Sequence, residues 1–196
     1  MSSWKVGILL FDEVEVLDFA GPFEVFSITE ESPGHKPFSV YTIAKEDRVI
    51  HARNGLLVQP HYSISSVPKP DILIIPGGYG AETEEIHNEV LIRWIIKCAE
   101  QASLVASVCT GAFLLAQAGL LDGKSAVTHW MDTERLEKEY PKIHVLRDVK
   151  FVDEGKIVTS AGISSGIDMC LYLVKKLLGA EAAGITAKRM EYATHF

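Results

Sequence analysis

The chain has 196 residues, enough for one domain with a substantial core. Hydrophobic residues make up 47% of it and charged residues 23%, which excludes a disordered or fibrous chain. A formal net charge of −7 argues against a nucleic-acid-binding surface.

The first residues run directly into a strand-like segment, with no basic, apolar, small-residue signal ahead of it. Cys98, Cys109 and Cys170 are odd in number and lack C-x-x-C spacing, so neither a disulfide framework nor a cysteine zinc site is expected. A reducing cytoplasm is the expected location.

In chain order, 4–11 is a near-continuous apolar run, as in a strand covered on both faces. Asp12, Glu13, Glu15 and Asp18 crowd its end. Asp18, in Val16-Leu-Asp-Phe-Ala-Gly-Pro22, has two readings. It caps a helix that begins at Ala-Gly-Pro, or it is a functional acid between Leu17 and Phe19. Glu24 then falls in the first turn of that helix, where an acid suits the dipole. A second strand covers 38–44. The Pro-rich stretch 60–70 reads as a loop leading into a strand at 71–76, with Ile72-Leu-Ile-Ile75 apolar throughout.

That strand ends in Pro76-Gly-Gly-Tyr-Gly80. Gly77 and Gly78 are either a turn that needs glycine or anion-stabilising N–H donors, completing an oxyanion hole with Thr110 or Gly111. The spacing is not that of a phosphate-binding loop. The segment 88–102 carries Val90, Leu91, Trp94, Ile95 and Cys98 at helical three-and-four spacing.

Next comes Leu104-Val-Ala-Ser-Val-Cys109-Thr-Gly-Ala-Phe-Leu-Leu-Ala116: a buried strand, a sharp turn, then a helix. Although 104–121 is long and apolar enough to raise a membrane span, Thr110, Gly111, Gln117 and Gly119 interrupt it, and no membrane is expected. Cys109 is either a buried structural cysteine or a nucleophile at an elbow, its thiolate favoured by the helix N-terminus. After a short run at 125–127, His129 follows Thr128 and either packs or faces the cysteine. The other histidines (His35, His51, His61, His87, His144 and His195) form no pair at metal-ligand spacing. A charged helix at 131–139 stops before Pro141. Strands at 149–152 and 156–159 flank an Asp153-Glu-Gly-Lys156 hairpin turn. A last amphipathic helix at 164–178 stops at Gly179.

This alternation predicts a single α/β domain over 1–196. It is a doubly wound, mostly parallel sheet with helices on both faces: a flavodoxin-like sandwich with a strand–Cys–helix elbow. Ligands of such sheets bind beyond the carboxyl ends of the strands. That is where the 12–18, 76–80 and Cys109 segments fall.

Five motifs occur in order: Leu17-Asp-Phe-Ala-Gly-Pro-Phe-Glu-Val-Phe26, Pro76-Gly-Gly-Tyr-Gly80, Ser107-Val-Cys-Thr-Gly111, Thr128-His-Trp130 and Thr159-Ser-Ala-Gly-Ile-Ser-Ser-Gly-Ile-Asp168. With them the chain resembles the ThiJ/PfpI superfamily, of class I glutamine-amidotransferase-like fold, over nearly its whole length. Its motifs look most like those of isocyanide hydratases and of AraC-type regulator ligand domains. The resemblance implies Cys109 as nucleophile, Asp18 as its acidic partner and Gly78 as a backbone donor opposite the sulfur. Thr110 stands where protease-like members carry His, so a Cys-His protease mechanism is not implied. His129 and Tyr79 take supporting positions. No helix-turn-helix pair is expected within the sequence. The implied activity is a cysteine-dependent reaction on a small electrophile, hydration of an isocyanide to an N-formamide, without cofactor or metal. A cysteine-based redox or metabolite sensor, or a hydrolase, glyoxalase or deglycase using the same cysteine, are the alternatives. A small-molecule substrate and a homodimer are the expected partners.

Overall fold

In the computed structural model, residues 3–32 and 34–194 are described. Seven strands form one sheet, in the order β10-β11-β7-β6-β1-β2-β5. Its central strand is β6 (Ile72–Ile75); β1 (Trp4–Leu10) pairs with β6 on one side and with β2 (Phe38–Ala44) on the other. All pairings are parallel except that of β10 (Phe151–Glu154) with β11 (Ile157–Ser160). The inner strands are apolar on both faces because both faces are covered: β6 and β7 (Leu104–Val108) are buried throughout.

On one face, α1 (Val16–Ile28), α6 (Ser165–Leu178) and α7 (Ala180–Arg189) pack together. On the other lie α2 (Tyr79–Thr83), α3 (Glu89–Gln101) and α4 (Gly111–Gln117). The mostly parallel, doubly wound α/β sheet is therefore as expected. A hairpin of β3 (Ile50–His51) and β4 (Leu57–Val58), a paired β8 (Ser125–Ala126) and β9 (His144–Val145), and α5 (Thr133–Glu139) decorate the carboxyl end. Among the described residues no helix is long and apolar enough to cross a membrane.

Several expectations need correction. The 60–70 stretch is not all loop: β5 (Tyr62–Ser63) extends the sheet edge beside β2. Helix α6 stops at Gly179 as expected, and an unexpected further helix, α7, follows it. Helix α1 begins before Asp18 and keeps Pro22 inside it, so Asp18 is a first-turn residue rather than a cap, and Glu24 lies beyond the first turn. A proline there costs the helix the N–H that would bond the Asp18 carbonyl, and tertiary burial of Phe19, Val25 and Phe26 offsets the loss.

Strand order reverses between β1 and β6, the position at which open α/β sheets form a ligand crevice. The chain segments leaving β1, β6 and β7 meet there.

Candidate active site

Cys109 follows β7 and precedes α4, with φ +57°. A non-glycine residue in this region costs on the order of 1–3 kcal/mol and persists only where its surroundings over-determine it. Here they do. The Cys109 N–H donates to the Ser160 carbonyl at 3.1 Å, and the Thr128 hydroxyl donates to the Cys109 carbonyl at 2.9 Å. The elbow is thus strapped from β11 on one side and from the segment before His129 on the other. Ile163, a β-branched residue at φ +48°, is a second outlier, and its backbone N–H reaches the sulfur, as does that of Thr110.

Asp18 approaches from α1. It is wholly buried. Its Oδ2 accepts the Gly77 N–H at 3.0 Å, while Oδ1 meets no N–H or O–H donor among the described residues. The Cys109 thiol lies against this carboxyl and interacts with it. Burial pushes Asp18 from an ordinary carboxyl value up to about 7; the Glu15 charge adds to the rise, and Gly77 and the thiol oppose it. Burial also pushes the Cys109 thiol well above its usual value, and the Asp18 and Asp132 charges push the same way, against the Thr110 and Ile163 N–H groups.

That reverses one expectation. A free thiolate at the elbow is not what the surroundings favour, because burial and the facing Asp18 and Asp132 carboxylates outweigh the backbone N–H groups at the sulfur. The arrangement is a thiol beside a carboxyl that titrates near neutrality: a proton donor and acceptor pair. Cys98 and Cys170 have no such neighbour. Desolvation raises both, Cys98 to about 11.

The expected oxyanion donors also need correction. The Gly77 N–H is engaged by Asp18 and the Gly78 N–H by Thr110 Oγ1 at 3.0 Å. Thr110 Oγ1 in turn bonds the Glu82 carboxylate, whose other partner is Arg135 at 2.9 Å. The glycines therefore hold the acid and the elbow in place. Gly78, at φ +126°, lies so close to the backbone of 13–15 that any side chain would collide. Gly111 packs equally tightly beneath Ile75 and Pro76. The backbone groups that face the sulfur are those of Thr110 and Ile163; the latter lies in the 159–168 motif, which does not by itself mark a donor.

A cleft of about 430 Å³ opens over the sulfur. Tyr79, Thr110, His129 and Ile163 line it with Glu15, Glu82, Asp132 and Arg53. His129 Nδ1 accepts the Met131 N–H at 3.4 Å and stands 3.6 Å from Asp132. Its ring edge occupies the space a side chain at Gly162 would fill. Arg53, which the sequence did not flag, comes from the β3–β4 hairpin; its guanidinium pairs with Glu13 at 3.4 Å and lies 5.9 Å from the Tyr79 ring centroid. A wider groove of about 600 Å³ adjoins across His129 and Ile163. Among the described residues no three His, Cys, Asp or Glu side chains are placed to hold a metal; His195 lies outside them.

Residues 4–176 match the DJ-1/PfpI family. The chain belongs to that family. It is 32% identical over 191 residues to the isonitrile hydratase of Pseudomonas putida, covering 96% of this chain and 78% of that protein. It is 26% identical over 188 residues to the HTH-type transcriptional regulator GbdR of Pseudomonas aeruginosa, covering 96% of this chain but only 50% of the regulator. The crystal structure of a ThiJ/PfpI family protein from Pseudomonas syringae superposes with a TM-score of 0.88 at 24% identity, over 100% of this chain and 78% of that one.

Proposed function

We propose that this DJ-1/PfpI member is a cysteine-dependent enzyme acting on a small electrophile, with hydration of an isocyanide to an N-formamide as its reaction. The observation that carries the proposal is the buried Asp18 carboxyl, one oxygen unpaired, against the Cys109 thiol beneath an open cleft. The similarity to an isonitrile hydratase supports the choice of reaction.

The geometry suits proton exchange. As sulfur attacks the terminal isocyanide carbon, a C–S bond forms and the thiol proton passes to Asp18, which delivers it to that carbon. The product is a thioimidate. Water then adds to the same carbon, giving one proton to Asp18 and from there to nitrogen. The C–S bond breaks, sulfur recovers a proton, and N-formamide leaves. The net change is addition of one water. An acid titrating at about 7 both takes and returns protons at neutral pH.

Turnover of an aromatic isocyanide, followed by formamide release, tests this. Wild-type protein should turn over, and Cys109→Ser should not. Absence of formamide from wild type would overturn the reaction.

The similarity to a regulator over half of its length favours a second reading, a ligand sensor using the same cleft. Tight binding of a small molecule without turnover would support it. We further propose that a second copy covers the exposed Trp130, Met131 and Ile163 at the cleft mouth. Light scattering should then give twice the 21.6 kDa of one chain.

A further inference from the structure

The charges around the cleft are not balanced. Glu15, Glu82 and Asp132 line it, against a single guanidinium, that of Arg53. Two of these four are already neutralised from outside the cleft: Arg135 holds Glu82, and Glu13 holds Arg53. That leaves Glu15 and Asp132.

Asp132 faces the imidazole of His129. Glu15 has no ion pair or side-chain hydrogen bond among the described residues. It stands at the N-cap position of α1, yet its side chain caps nothing. Its backbone is fixed by the N–H it donates to the Gly77 carbonyl at 2.9 Å, so its charge is held at the cleft wall. Below it the buried Asp18 adds a further carboxyl.

We propose that the Cys109 cleft admits neutral or cationic electrophiles and rejects those bearing a carboxylate, with Glu15 as the residue that sets this preference. The proposal rests on Cys109 being the attacking group. It narrows the substrate class: an uncharged isocyanide or a substrate carrying an ammonium group fits, whereas a 2-oxo acid meets the unpaired Glu15 carboxylate, and Asp132 beside His129, on its way to the sulfur. Charge lining a partly enclosed cleft acts more strongly than the same charge in water, because low-dielectric walls focus the field. Arg53 moderates the preference and does not reverse it, being committed to Glu13.

Two thiol reagents of similar size and opposite charge test the preference directly: trimethylammonioethyl and sulfonatoethyl methanethiosulfonate. In both, the cysteine sulfur attacks the sulfenyl sulfur, an S–S bond forms, the S–SO₂ bond breaks, and methanesulfinate leaves with the electron pair. The thiol proton goes to Asp18 or water. Both reagents draw on the same thiol, so the ratio of their rates, normalised to mercaptoethanol, is independent of how far Cys109 is ionised. Peptide mass spectrometry assigns the labelled cysteine.

The cationic reagent should label Cys109 at least about tenfold faster than the anionic one. Glu15→Gln should reduce that ratio by about threefold, and Arg53→Met should increase it. Glu181→Gln, the same charge change on exposed α7, should leave it unaltered. Equal rates, or faster anionic labelling, would overturn the preference while leaving Cys109 as the attacking group. An effect of Glu181→Gln as large as that of Glu15→Gln would assign the field to the whole chain of charge −7 and overturn the role of Glu15. Labelling at Cys98 with none at Cys109 would remove the nucleophile itself, and the preference with it.

Discussion

Two aspartates in this molecule occupy the same kind of place and end differently. Asp18 lies in the first turn of α1 and Asp168 in the first turn of α6, two helices packed against each other on one face of the sheet. Both are buried, at 0% and 7% exposure. Asp168 is held by side chains: its Oδ2 accepts Lys150 Nζ at 2.9 Å and the Tyr192 hydroxyl at 3.1 Å. Asp18 has one backbone donor, and its Oδ1 meets no N–H or O–H group, only the neighbouring thiol. A buried polar atom left unpaired is expensive, and native proteins rarely tolerate it without a use. The fold gives one acid a cation and a hydroxyl, which hold its charge, and gives the other a backbone N–H and a thiol.

The largest effect that can break this contrast is on stability against pH. The Asp18 carboxyl is raised from 3.8 to about 7, so between those values the native state holds a proton the unfolded chain has lost. Stability must then fall as pH rises through that window and level off above about 7. The span is on the order of 4 kcal/mol. Asp18→Asn, which carries no charge to bury, should lose this contribution to the slope. Urea midpoints of both proteins from pH 5 to pH 8 should therefore diverge, with the variant gaining relative to wild type as pH increases. Parallel curves would show that Asp18 is not buried as a titrating acid.

Next in size is turnover. Asparagine keeps the shape of Asp18 but exchanges no proton at neutral pH. Activity of Asp18→Asn should fall by roughly a hundredfold or more, the scale of lost acid–base catalysis. Asp168→Asn should stay within about threefold of wild type and instead lose about 2 kcal/mol of stability, as a charge-assisted pair is broken at a buried site. A variant of Asp168 that lost activity while remaining folded would dissolve the distinction between the two acids.

How much of this was readable beforehand depended on range. Strands β1, β6 and β7 announce themselves as near-continuous apolar runs because they are buried on both faces, apart from the exposed start of β1 at Lys5. Helix α3 is equally plain from its apolar spacing. Helix α1 is read too late because Pro22 suits a helix start, and only its packing shows that the helix tolerates it. Helix α7 is short and rich in Ala and Gly, with little periodic contrast. At the site, Asp18, Gly77, Gly78, Cys109 and Thr110 are brought together as a group, but their roles shift. A local pattern marks a glycine N–H as available; it does not say that an acid 59 residues away will take it. Arg53 reaches the cleft through tertiary folding alone, with no local motif to mark it; Ile163 lies within the 159–168 motif, but nothing in that motif singles out its backbone N–H.

The smallest effect sharpens the contrast from the other side. Lys150 is the more exposed partner of Asp168, with 56% of its side chain accessible against 10% for the acid. An ion pair with one half-exposed member contributes little, because water already screens it and ordering the lysine costs side-chain entropy. Lys150→Met should therefore cost only about 1 kcal/mol, with the Tyr192 hydroxyl still donating to Asp168. Thiol labelling at Cys109 and turnover should both match wild type, since Lys150 reaches the acid of α6 and not that of α1. Thermal unfolding and rate measurements on this one variant check both halves. A loss of several kcal/mol would mean that Asp168 depends on its lysine as heavily as a wholly buried acid would.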